Sequence, residues 1–80
     1  MHNANELAIA IKNYRKGQKL SQSRIADLSG LKQATISAFE KKPNATKLET
    51  LFRILAAVNL EILVQPKGKT AKQNEWKEEW

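Results

Sequence analysis

Apolar residues recur at helical spacing in four stretches of this 80-residue chain, and short polar or glycine-containing segments separate them. The first stretch predicts a helix that begins near Asn5, a good capping residue, and stops at Gly17. Its apolar positions are Leu7, Ile11 and Tyr14. The pattern and length predict one small, mainly helical domain.

Two short helical patterns flank Gly30. The first begins after Ser21 and runs to about Ser29, and the second covers roughly residues 32–40. A glycine here supplies the left-handed backbone that a tight turn needs, and Ala26 is small enough for two helices to approach closely. These offsets predict a helix-turn-helix motif, with Ile25, Leu31, Ile36 and Phe39 facing inward.

The fourth helix is predicted from a capping box, in which Thr46 and Glu49 occupy the ends of a T-x-x-E pattern. Its helical spacing assigns one apolar face to Leu48, Leu51, Phe52, Leu55 and Val58. The preceding segment, KKPNA, is predicted to be a loop because Pro and Asn favour turns.

A short strand is predicted at residues 61–65, where branched apolar residues precede Pro66. A single strand needs a partner for its backbone donors and acceptors, and pairing with a second subunit across a two-fold axis would provide one. The alternative is that Ile62 and Val64 extend the core under the fourth helix. The pairing hypothesis assigns dimerisation to Glu61, Ile62, Leu63 and Val64.

The last segment, residues 67–80, has no apolar periodicity, and we expect it to be a flexible tail attached to a domain at residues 1–66. Its two aromatic residues, Trp76 and Trp80, are candidate anchors for a partner protein. These two residues could also be recognised by a protease, or have no role.

Composition narrows the possible functions. The chain has no Cys and one His, at position 2, so we expect neither an enzyme nor a metal or other cofactor site. We also expect no membrane span, and a cytoplasmic location. The net charge is +6, of which +5 lies in residues 1–66 and +1 in the tail. A basic domain favours nucleic acid as a partner, although ordinary solubility would also account for the charge.

The outward face of the third helix carries the candidate chemistry. Gln33, Ala34, Ser37 and Lys41 are predicted to lie opposite Ile36 and Phe39. In a DNA major groove, Gln can bind adenine, Lys can reach guanine and an alanine methyl can contact a thymine methyl. Alternatively, these residues are simply solvated surface.

Residues 22–42 resemble the helix-turn-helix of the phage-repressor and Cro (XRE) family, and KQATISAFE followed by TLFRILAAVNLEI resembles its HipB antitoxins. The resemblance implies an all-α, lambda repressor-like fold of about four helices with one C-terminal strand pairing across a dimer. It implies binding to a palindromic operator in double-stranded DNA, repression of the chain's own operon, and neutralisation of a HipA-like serine/threonine kinase toxin. The alternative is a free-standing repressor with no toxin partner.

The same resemblance implies roles for individual residues. Arg15 and Glu40 would pair, tying the first helix to the end of the third, and Gln22 would cap the second helix and bind a phosphate. Base edges would be contacted by Lys32, Gln33, Ala34 and Ser37, and the DNA backbone by Ser21, Gln22, Ser23, Thr35 and Lys41.

Overall fold

The computed structural model describes residues 3–66, which form four α-helices and one short 3₁₀ turn. The predictions for the tail, including Trp76 and Trp80, lie outside the described residues. The all-α helix-turn-helix fold predicted from the sequence is confirmed. The helices are α1 (Ala4–Gly17), α2 (Gln22–Ser29), α3 (Gln33–Lys41) and α4 (Leu48–Ala57), and the 3₁₀ turn is Pro43–Ala45.

Side-chain caps set the beginnings of the first two helices. Asn3 caps α1, since its side-chain oxygen accepts a hydrogen bond from the Glu6 amide at 2.9 Å. The prediction that Asn5 is the cap was therefore wrong by two residues. Ser21 caps α2 in the same way, with its hydroxyl accepting from the Arg24 amide at 3.0 Å, so the predicted start of α2 is confirmed.

The predicted capping box of α4 is wrong. The Thr46 amide donates to the Pro43 carbonyl at 3.0 Å, so Thr46 closes the 3₁₀ turn instead of opening the helix. Lys47 occupies the N-cap position and provides no side-chain cap. Glu49 lies beside Arg53 on the exposed surface, with 3.6 Å between its carboxylate and the guanidinium.

The core lies among the four helices, where α4 packs against α2 and α1 packs against α3. On α4 the predicted Leu51, Leu55 and Val58 are buried, but Leu48 and Phe52 are 69% and 54% exposed. Ile54 is also buried, so the buried face of α4 is rotated about the helix axis away from Leu48 and Phe52. The other buried apolar side chains are Ala8, Ile11, Ile25, Ala26, Ile36 and Phe39.

The turn between α2 and α3 has the predicted geometry. Gly30 has a φ of 73°, which is the left-handed conformation, and the Leu31 amide donates to the Ala26 carbonyl at 3.1 Å. Ala26 itself is 6% exposed, consistent with a close approach of neighbouring elements. This turn sets the angle between α2 and α3, and thereby the surface that α3 presents to solvent.

No strand occurs within residues 3–66, and residues 61–65 are exposed and irregular. Ile62 is 43% exposed and Val64 is 91% exposed. The alternative that these two residues extend the core under α4 is therefore wrong. Pairing of residues 61–65 with a second subunit stays a prediction, because the structure describes a single chain and the pairing requires two.

Candidate nucleic-acid interface

One face of α3 is buried and the opposite face is open to solvent. Ile36 and Phe39 are 1% and 3% exposed and pack into the core, as predicted. On the other side Gln33, Ala34 and Lys41 are exposed, and Ser37 is half-buried. The structure therefore brings the predicted base-contacting side chains onto one surface, together with the exposed N-cap residue Lys32.

This surface is shallow and lined by small side chains. Ala34, Ser37 and Lys41 border one open groove, which Ala38 and Lys42 complete. Because the alanines at the centre are small, another molecule could approach the helix backbone closely. The longer side chains at both ends of the face then supply its hydrogen-bond donors.

The start of α3 adds backbone donors to this surface. Lys32 provides no side-chain cap, and its carbonyl accepts from the amides of Thr35 and Ile36 at 2.9 and 3.2 Å. The amides of Gln33 and Ala34 have no acceptor within the described part of the chain. Free amides at a helix N-terminus favour a negatively charged ligand.

The predicted backbone-contacting residues at the start of α2 are accessible, but one predicted role is wrong. Ser21 and Ser23 are exposed, and Gln22 is half-buried. Gln22 does not cap α2, because Ser21 already does so and the Gln22 side-chain amide donates to Glu40 at 2.9 Å.

The predicted pair between Arg15 and Glu40 is present. The Arg15 Nε lies 2.8 Å from Glu40 Oε2, and Nη2 donates to Oε1 at 3.2 Å. The two side chains are only 8% and 5% exposed. Arg15 Nη1 also donates to the Leu20 carbonyl at 2.6 Å, so one guanidinium connects the end of α1, the segment before α2 and the end of α3.

The sequence-based site left out a second flank of α3. Thr35 and Ala34 border a groove of about 400 Å³ that continues to Lys47 and the start of α4. The sequence does contain a run of basic and hydroxyl residues after α3. Helical periodicity along α3 takes no account of them, because they lie outside that helix. The flanking residues missed in this way are Thr46, Lys47 and Thr50.

The predicted dimerisation residues lie on a different side of the domain. An open apolar groove of about 650 Å³ runs between α1 and the segment after α4. Leu7 and Tyr14 contribute from α1, and Ile62 and Leu63 from the C-terminal segment. Leu63 is 75% exposed, so this apolar surface is uncovered in the single chain.

Within residues 3–66 no three His, Cys, Asp or Glu side chains gather where they could hold a metal ion. In the same part of the chain, no helix has the length and apolar character needed to cross a membrane.

The capped α2, the glycine turn and the solvent-facing α3 together define a helix-turn-helix protein. The family model described as "Helix-turn-helix" matches residues 11–64, and the chain belongs to this family, as its sequence pattern predicted.

Within that class the chain is similar to HipB antitoxins. It is 37% identical to antitoxin HipB of Escherichia coli K12, over 95% of this chain and 93% of the relative. Antitoxin HigA1 of Mycobacterium tuberculosis H37Rv is 39% identical, over 74% of this chain and 40% of that protein.

Solved structures of HipB have the same fold. A HipB-O1-O2 complex superposes with a TM-score of 0.80 at 38% identity, covering 82% of this chain and 96% of the other. A HipA-HipB-O2-O3 complex gives a TM-score of 0.82 at 37% identity, covering 84% and 94%.

Proposed function

We propose that this chain is a DNA-binding antitoxin that represses its own operon as a homodimer and neutralises a HipA-like kinase toxin. The observation that carries the DNA-binding part is the exposed face of α3, where Gln33, Ala34 and Lys41 lie opposite the buried Ile36. Because this protein would act on an operator in cellular DNA, we expect it in the cytoplasm.

Specificity in this proposal comes from the start and centre of α3. Lys32, Gln33, Ala34 and Ser37 read base edges in the major groove, since that groove presents a distinct donor and acceptor pattern for each base pair. Affinity comes mainly from phosphate contacts by Ser21, Gln22, Ser23, Thr35 and Lys41, helped by the basic domain.

The homodimer sets the geometry of the operator. Two recognition helices related by a two-fold axis would bind two half-sites about 34 Å apart, or a multiple of this spacing. The apolar groove between α1 and residues 60–63 supports a dimer, because a second copy could cover its exposed Leu63 and Ile62.

The antitoxin part of the proposal is supported by the similarity to HipB over nearly the whole chain. A HipB structure that contains HipA and operator DNA has the same fold as this chain. The HigA1 relative is also named an antitoxin. These similarities favour an antitoxin over a free-standing repressor.

Gln33→Ala is expected to weaken operator binding by about 1–3 kcal/mol, because the hydrogen bonds of the glutamine side chain to an adenine base are lost. Binding to random DNA should stay nearly unchanged, since Gln33 reads bases and neutralises no phosphate. Fluorescence anisotropy with both DNAs measures the difference. An equal loss on operator and random DNA would show that Gln33 is not a base-reading residue.

Lys41→Ala is the contrasting control on the same helix face. A lysine that contacts phosphate affects both DNAs, so its removal should weaken both and reduce the salt slope by about one unit. Comparison of the two variants separates base reading from charge neutralisation.

The tail is expected to serve the protein partner and not the DNA. Residues 67–80 carry a net charge of only +1, and Glu75, Glu78 and Glu79 would be repelled by phosphates. A chain that ends at Pro66 should keep its fold and most of its operator affinity. It should lose toxin binding if Trp80 docks on the kinase, or gain a longer half-life if the tail starts degradation.

Three measurements on this truncation separate the outcomes: operator binding, co-purification with a HipA-like toxin, and cellular half-life. A collapse of operator affinity with unchanged toxin binding and half-life would make the tail a DNA-binding arm. The tail proposal would then be wrong, although the function of α3 would stand.

A further inference from the structure

Glu40 lies near the end of α3, but every hydrogen bond it accepts comes from another element. Arg15 of α1 donates from Nε and Nη2 at 2.8 and 3.2 Å, and Gln22 of α2 donates from Nε2 at 2.9 Å. The Glu40 side chain is 5% exposed, so these donors replace the water that its carboxylate would otherwise bind.

Gln22 has unused hydrogen-bonding capacity in this arrangement. A glutamine amide nitrogen carries two hydrogens, and only one of them is needed for the bond to Glu40. The backbone amides of Gln22 and Ser23 have no acceptor among the described residues. The start of α2 therefore holds several hydrogen-bond donors, and the bond to Glu40 restricts the rotamers of the Gln22 side chain.

We infer that Glu40 is a positioning residue for DNA binding, which holds the Gln22 side-chain amide where it donates to a backbone phosphate. The inference rests on the proposed operator binding, and it adds a link between base reading by α3 and phosphate contact by α2. Glu40 belongs to the helix that reads bases, and Gln22 belongs to the helix that contacts the backbone. The carboxylate thus fixes the phosphate contact relative to the position of α3 in the groove.

The sign of one substitution separates this role from simple electrostatics. Glu40→Gln removes a negative charge from a domain that binds a polyanion, so long-range electrostatics alone predict tighter binding. Loss of Gln22 positioning predicts weaker binding, because an unrestrained glutamine must be ordered when the phosphate is bound.

The test is a double-mutant cycle on operator affinity with Gln22→Ala, Glu40→Gln and the combined variant. All are assayed below their melting temperatures, which circular dichroism supplies. Gln22→Ala should weaken binding about 3- to 10-fold, the range expected for one hydrogen bond. Glu40→Gln should weaken it by a similar factor, and the double variant should bind no more weakly than Gln22→Ala alone.

Two further comparisons rule out a general effect. Gln22 is uncharged, so Gln22→Ala should leave the salt slope unchanged, unlike loss of a phosphate-binding lysine. Glu49→Gln removes the same charge from a carboxylate that is 78% exposed, and it should not weaken binding.

If Glu40→Gln does not fold, Glu40→Asp takes its place. Aspartate keeps the charge but withdraws the carboxylate by one methylene, so it should weaken binding when Gln22 is present and not in the Gln22→Ala background. Unchanged or tighter binding by the Glu40 variants would overturn the inference, as would losses that multiply in the double variant. Failure of the parent chain to bind operator DNA would instead refute the proposed function.

Discussion

Glu40→Ala is expected to lower the free energy of unfolding by about 3–5 kcal/mol, because it leaves the Arg15 guanidinium buried without its counter-charge. Arg15 is 7% exposed and would retain only its bond to the Leu20 carbonyl. A loss of this size is a large fraction of the roughly 5–15 kcal/mol that stabilises a typical domain. The melting temperature should fall by more than about 10 °C, as thermal unfolding by circular dichroism will measure.

Glu49→Ala is the matched control for this prediction. The Glu49–Arg53 pair is exposed and 3.6 Å long, and such surface pairs contribute about 0–1 kcal/mol. A melting temperature for Glu40→Ala equal to that of the parent would show that the Arg15–Glu40 contact does not stabilise the fold.

Ile62→Pro is expected to convert the dimer to monomer and to reduce operator affinity about 100-fold or more, because binding of two linked half-sites is lost. Proline removes a backbone donor and restricts φ where a strand between subunits would need a ladder. Light scattering measures the mass of the species, and operator binding is measured on the same samples.

Ile62→Val is the matched control, since valine keeps the backbone donor and the β-branched shape. It should stay dimeric and bind the operator as the parent does. A fully dimeric Ile62→Pro variant would assign the interface to another surface. The exposed Phe52 and Leu48 on α4 would then be the next residues to test.

The helix-turn-helix was predictable because its signals are local. Ser21 caps α2 through an amide three residues away, and Gly30 adopts a left-handed conformation that a side chain would disfavour. The burial of Ile36 and Phe39 follows from helical spacing along α3. The face that carries Gln33 lies on the opposite side of α3 from these buried residues, so its exposure was also correctly predicted.

The sequence-based predictions were wrong where the local sequence fits two different structures equally well. Thr46 fits a capping box in one-dimensional spacing, but the preceding 3₁₀ turn uses its amide, and the N-cap of the helix is the next residue, Lys47. The apolar stripe of α4 is wide enough to bury either of its edges. Packing against α2 selected Ile54 and left Phe52 exposed, a choice that helical spacing on one segment does not contain.

The start of α2, the glycine turn and the outward residues of α3 were thus determined by short-range chemistry along the chain. The amino-acid sequence also carried the resemblance that implied a pair between Arg15 and Glu40. The tertiary structure alone decided that Gln22 joins this pair, because Gln22 and Glu40 are 18 positions apart and only the packing of α2 against α3 brings them within 2.9 Å. It likewise decided the flank formed by Thr46 and Lys47 beside α3, since closeness between segments depends on how helices pack and not on the period within any one of them.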